Sequence, residues 1–159
     1  MSDQRRPPVL ITDIINQASS QLREAGIETP EHDAKLLLAE AAGVELRDVD
    51  RALLMGEELG TTGQLAVFRA MLDRRAKREP LQYITGHAPF RYLDLKVGPG
   101  VFIPRPETET VVQAGLDWLT KNGMIHPCVV DLCAGSGAIG LSVVSEVPGL
   151  SLIHISEPT

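Results

Sequence analysis

Apolar residues return every fourth position near the start of the chain: Leu10, Ile14, Ala18 and Leu22, with Ile11 and Ile15 beside them. That spacing lays an apolar stripe along one helix, which Gly26 ends. Thr29 then reads as an N-cap and Pro30 as the first helical residue. Ala34, Leu37, Leu38 and Ala41 supply the buried stripe of a second helix, stopped by Gly43. A third helix fits Arg47 to Met55, before Gly56. A fourth runs from about Gln64 to Lys77, with Leu65, Phe68, Met71, Leu72 and Arg75 at helical spacing. Short glycine-containing connections imply antiparallel neighbours, so residues 1–79 are expected to form a compact helical bundle.

The period then changes. Leu81 to Thr85 and Phe90 to Val97 read as strands, with Gly86 to Pro89 as the turn, giving a hairpin linker over residues 80–103. Pro99, Pro104 and Pro106 force an extended passage after it. From there the pattern is α/β. Val111, Val112, Leu116 and Leu119 mark an amphipathic helix with Glu107 and Glu109 in its first turn, ended by Gly123. Cys128 to Leu132 reads as a buried strand of a parallel sheet covered on both faces. The run Gly135-Ser-Gly-Ala-Ile-Gly140 then opens a helix towards Val147. The expected class is α + α/β: a helical bundle, a hairpin linker and the start of a Rossmann-like domain.

Composition narrows the functions. With 43% apolar residues in a 159-residue chain, there is enough material for a core. No apolar run reaches the roughly 20 residues of a membrane span, and the polar first eight residues are unlike a signal peptide. A net charge of −6 argues against gripping nucleic acid through the overall field. The local cluster Arg74, Arg75, Lys77 and Arg78 reads as a solvated helix end that offsets the dipole. Cys128 and Cys133 lack the spacing of a metal pair and read as buried, reduced thiols, and the four histidines show no ligand spacing.

The candidate chemistry lies after the β-branched strand. A strand, a glycine turn and a helix make a nucleotide-binding corner, because glycines let the backbone approach a ligand and the helix start offers free N–H groups. Gly135-x-Gly137-x-x-Gly140 matches the dinucleotide fingerprint, which by itself discriminates weakly. Asp131 lies four residues before Gly135. Its carboxylate would repel a pyrophosphate but suits S-adenosylmethionine, which carries an amine and a sulfonium. The alternative is a carboxylate that ties down the N–H groups of the turn itself, and both can hold together.

Three segments in order, Arg78-Glu-Pro-Leu-Gln-Tyr-Ile-Thr-Gly86, Ile103-Pro-Arg-Pro-Glu-Thr-Glu109 and Asp131-Leu-Cys-Ala-Gly-Ser-Gly-Ala-Ile-Gly140, resemble the HemK (PrmC) family of release factor glutamine methyltransferases. The likeness covers about residues 9–149. It implies methyl transfer from S-adenosylmethionine to the glutamine amide in the Gly-Gly-Gln tip of bacterial peptide chain release factors. By this resemblance Asp131, Cys133, Ala134, Gly135, Ser136 and Gly137 bind the cofactor. Pro104, Arg105, Pro106, Glu107 and Thr108 border the channel where donor and glutamine meet, unless that segment is only a rigid crossover. The helical domain helps to dock the release factor. The resemblance also implies the bacterial cytoplasm; a monomer is expected, and charge and apolar run length argue against a nucleic-acid or membrane partner. Cys133 replaces a glycine often found there and is tolerable if its φ is negative. Gly140 stands where alanine is common, at a cost of about 1 kcal/mol in helix propensity.

The family's Asn-Pro-Pro-Tyr catalytic loop does not occur here, so no catalytic residue is assigned and the fragment itself is expected to be inactive. The methyltransferase segment is expected over residues 104–149. Leu152 to Ser156 alternates like a second strand, with His154 where a ribose-binding acid belongs. Residues 150–159 also resemble a translated sequencing adapter, which implies a non-native tail. A parallel sheet this small leaves apolar strand residues uncovered, so the chain is expected to be poorly stable beyond residue 105. Competing readings are a ribosomal-protein glutamine methyltransferase, a nicotinamide oxidoreductase and a helical binding module without catalysis.

Overall fold

The computed structural model describes residues 10–57 and 60–156. The chain divides into two compact units, Met1–Thr85 and Gly86–Thr159.

The first unit is helical. Helices α1 (Ile11–Glu24), α2 (Pro30–Ala42), α3 (Leu46–Met55) and α4 (Thr62–Ala76) follow the apolar stripes of the sequence. α2 lies at the centre, packed on α1, α3 and α4. Ile11, Ala18, Leu22, Leu37, Leu38, Val49 and Phe68 fill the core. Each large apolar side chain removed from water there contributes about 1.5–3 kcal/mol. Gly43 and Gly56 end α2 and α3 in the left-handed conformation.

The arginine cluster is more engaged than a solvated helix end. Arg75 Nε donates to the buried Asp33 carboxylate at 2.7 Å, and its Nη1 donates to the Glu79 carbonyl. Arg74 grips Glu79 with two nitrogens, holding that carboxyl below its ordinary range. Arg78 reaches the carbonyls of Ala25 and Gly26. α2 carries Asp33 into the interior, where its carboxylate needs a partner, and Arg75 supplies it. Asp33 also redirects Thr29. The hydroxyl donates to the Asp33 carboxylate at 2.8 Å and makes no side-chain cap, contrary to the sequence expectation.

Leu81–Thr85, expected to be a strand, is a short helix, α5. Pro80 starts it: the N–H groups of Tyr83 and Ile84 bond to the Pro80 carbonyl. One helical turn brings Leu81 and Ile84 together against the first core, which alternation could not do.

In the second unit the hairpin pairs β1 (His87–Phe90) with β2 (Leu93–Lys96) antiparallel, Phe90 opposite Leu93. Its turn is therefore Arg91-Tyr92, not Gly86 to Pro89. Helix α6 (Thr108–Lys121) packs on α7 (Ala138–Glu146), and α7 packs on β3 (Cys128–Leu132) and β4 (Ser151–Ile155). Phe90, Leu95, Val112, Leu116, Leu119, Ala138 and Val143 form the core. β3 and β4 run parallel, with Asp131 opposite His154.

β3 is not covered on both faces. Asp131 is buried, but Val130 and Leu132 are 50% and 67% exposed. Alternating side chains point to opposite faces, and α7 covers only one. Cys128 shares the open face, and Cys133 lies in the loop beyond, so both thiols are free and exposed rather than buried.

Candidate functional site

Between β3 and α7 the chain makes three left-handed steps within five residues: Cys133 (φ 60), Gly135 (φ 55) and Gly137 (φ 75). The two glycines adopt these values without steric cost. Cys133 does not, and the negative φ that would make a cysteine tolerable there is absent; a non-glycine residue in this conformation costs roughly 1–2 kcal/mol. The loop needs this bend to turn the chain from the end of a strand into a helix that packs back over it. The N–H of Gly137 closes the turn on the Ala134 carbonyl at 2.8 Å, and α7 starts at Ala138.

Asp131 anchors the corner from below. It is 7% exposed, and its Oδ2 accepts a hydrogen bond from the Gly140 N–H at 3.0 Å. This is the tie to the turn's own backbone that the sequence left open. It also explains Gly140. A Cβ there would lie 2.8 Å from Asp131 Oδ2 and 3.0 Å from Leu152 Cδ2. The missing side chain is therefore set by close approach, and helix propensity is the smaller effect.

Above the loop opens a cleft of about 310 Å³, lined by Asp131, Ala134, Gly135, Ser136 and Gly137. Gly140, Leu141, Leu152, His154 and Ser156 complete it. The volume is at the small end of ligand pockets. Asp131 is the one carboxylate among the lining residues. Leu141 and Leu152 were not read from the sequence as site residues. Leu141 was legible as the residue one turn after Gly137, but Leu152 enters through strand pairing. Of the expected cofactor set, Cys133 does not line the cleft.

Pro104, Arg105, Pro106, Glu107 and Thr108 do not line it either. They turn the chain into α6, with the Thr108 N–H on the Arg105 carbonyl and the Glu109 N–H on the Pro106 carbonyl. Arg105, Pro106 and Glu107 are exposed. The passage meets the loop at Phe102 instead, whose Cβ lies 4.0 Å from where a Gly135 Cβ would stand. Phe102 is 67% exposed, and an open aromatic beside a glycine loop is a feature that sequence pattern did not mark.

The far end of α7 is fixed by Glu146, whose two oxygens receive Nε and Nη2 of Arg91 at 2.6 and 2.7 Å. That guanidinium holds the Glu146 carboxyl below its ordinary range, and the carboxylate raises the pKa of Arg91 in turn. Among the described residues no group of three His, Cys, Asp or Glu could hold a metal ion, and no helix is long and apolar enough to cross a membrane.

Residues 13–86 match the PrmC N-terminal domain. The chain is 99% identical over 141 residues to a release factor glutamine methyltransferase of Bifidobacterium longum, a match covering 89% of this chain and 48% of that protein. Proteins of the same name from Streptomyces coelicolor and Mycolicibacterium smegmatis are 45% and 41% identical, each over 90% of this chain and 48% of their own length. The chain thus spans about half the length of the relatives it matches. Residues 13–86 carry a PrmC N-terminal domain, and the likeness to a protein named release factor glutamine methyltransferase extends over 141 residues.

Proposed function

We propose that the protein to which this sequence belongs methylates the side-chain amide of the glutamine in the Gly-Gly-Gln tip of bacterial release factors, in the cytoplasm, with S-adenosylmethionine as donor. The observation that carries this reading is the 99% identity over 141 residues to a protein of that name. The cleft supports the cofactor half of it. A loop with glycines at 135 and 137 leaves room for a ligand against the backbone, and the Asp131 carboxylate beneath it favours a cationic group over a pyrophosphate. That end of the cleft fits an amine-bearing sulfonium nucleoside. Beside Asp131, on the paired strand, His154 stands with Ser156 in place of the acid that commonly grips a ribose, so the fit to the sugar is poorer.

S-adenosylmethionine supplies an electrophilic methyl group. An amide nitrogen is a poor nucleophile, because its lone pair is delocalised into the carbonyl, so transfer depends on orientation and on acceptors that polarise the NH₂ group. In this reading the residues of this chain contribute orientation. Asp131 and the glycine loop hold the donor, Pro104 to Thr108 border the approach of the glutamine, and the first unit docks the release factor. Charge also argues against a nicotinamide enzyme, since Asp131 would face the diphosphate.

The test is transfer of labelled methyl groups by the full-length protein. Label is expected on a release factor with an intact Gly-Gly-Gln tip and not on one with alanine in place of the glutamine. Equal labelling of both would refute the substrate assignment.

A further inference from the structure

The two segments read as cofactor loop and substrate passage do not share a hydrogen bond, yet one side chain holds an element attached to each. Arg91 sits at the hairpin turn with φ 52, in the left-handed region. A two-residue turn usually places glycine or asparagine at such a position, because any larger residue is strained there. Its side chain accounts for an arginine's presence. The guanidinium binds both oxygens of Glu146, the last residue of α7. It also donates through Nη2 to Gln113 Oε1 at 2.9 Å and through Nη1 to the Glu109 carbonyl at 3.3 Å, both on α6. The Arg91 backbone N–H adds a bond to Glu109 Oε1 at 3.0 Å. The group is nearly out of water, with the side chains of Arg91 and Glu146 10% and 18% exposed. A planar fork of three nitrogens can clamp one carboxylate with two of them and still reach two further acceptors; a lysine has a single nitrogen and cannot.

We propose that Arg91 is a positioning residue that couples the glycine loop, through α7, to the Pro104–Thr108 passage, through the first turn of α6. Its part in methyl transfer rests on the reading of the cleft given above. The coupling does not. α7 carries the loop at its N-terminus and Glu146 at its C-terminus, and nine residues of helix transmit a shift at one end to the other. α6 begins at Thr108, so the grip on Glu109 fixes the residue directly after the passage. One guanidinium thereby sets the distance between donor site and acceptor approach.

Native-state hydrogen exchange on the full chain tests the coupling without any ligand. The reporters are the amides of Gly140 and Leu141 at the loop, and of Glu109 and Thr110 at the passage, all hydrogen-bonded in the structure. Arg91→Ala is expected to speed exchange at both pairs by about tenfold or more. Glu146→Gln is expected to speed Gly140 and Leu141 and leave Glu109 and Thr110 unchanged. If Arg91→Ala changes only the amides of residues 87–96, the proposal is overturned. Should Arg91→Ala unfold the second unit, Glu146→Gln decides. Selective acceleration at the loop supports the coupling, and uniform acceleration across the unit overturns it. Calorimetry with S-adenosylmethionine on Glu146→Gln then reads the functional consequence, expected as a weaker Kd. Absence of binding by the unsubstituted chain counts against the cofactor reading alone, because the exchange pattern still decides the coupling.

Discussion

At Gly140 the absence of a side chain is used by a neighbour: Asp131 fills the space and accepts the backbone N–H. Two effects compete when alanine is placed there. Helix propensity favours alanine by about 1 kcal/mol. Against it stands a buried hydrogen bond to a carboxylate, worth about 1.5–3 kcal/mol, which the new Cβ would displace. Gly140→Ala is therefore expected to lower stability by about 1 kcal/mol in thermal denaturation, where propensity alone would raise it. Cys133 has the opposite sign. Its left-handed backbone gains from losing the side chain, so Cys133→Gly is expected to raise the melting temperature; an unchanged or lower value would remove strain as the account of that residue. The tie from Asp131 to the backbone beyond Gly135 was one of the two readings that the sequence left open, because that spacing is local. The left-handed φ of Cys133 could not be read there, because a cysteine carries no preference for it.

The elements show the same division. α1, α2 and α4 were legible because each repeats its apolar residues at helical spacing, and the short α3 because Gly56 bounds it. α5 was not: five residues including Ile84 and Thr85 satisfy either period, and packing against the first core decided for helix. Shifting that segment moved the hairpin turn to Arg91 and Tyr92. The Arg91 network was out of reach, since Glu109 and Glu146 lie 18 and 55 residues away along the chain. It carries a pH dependence whose sign is fixed. Glu146 has its folded pKa lowered from 4.5, chiefly by the hydrogen bonds from Arg91. The stability this pair adds is complete above the unfolded value and disappears as pH falls through the folded one. The second unit is expected to lose melting temperature below about pH 4.5, and Glu146→Gln, which lacks that titration, should show a smaller acid drop in parallel melts.

Over the whole molecule the two units differ in what they bury. Among the described residues the first closes a core of fourteen buried residues around α2, whereas the second gathers seven into its core cluster and leaves Val130, Leu132, Ile153 and Ile155 half exposed or more on one sheet face. Amides of α1 and α2 are accordingly expected to exchange more slowly than those of β3 and β4; equal protection would show that buried area does not govern local stability here. The open face was foreseeable in kind, because two parallel strands with one covering helix cannot hide both sides of Val129 to Leu132. The exposure of the cysteines follows from the same incomplete cover, which no local pattern reveals.

The central claim is that the bend above Asp131 receives S-adenosylmethionine, and titration calorimetry of the chain with that compound, with NADH alongside, measures it most directly. One saturable site for S-adenosylmethionine, lost in Gly135→Val and absent for NADH, is the expected result. Binding of NADH in its place, or S-adenosylmethionine heats indifferent to Gly135→Val, would contradict it.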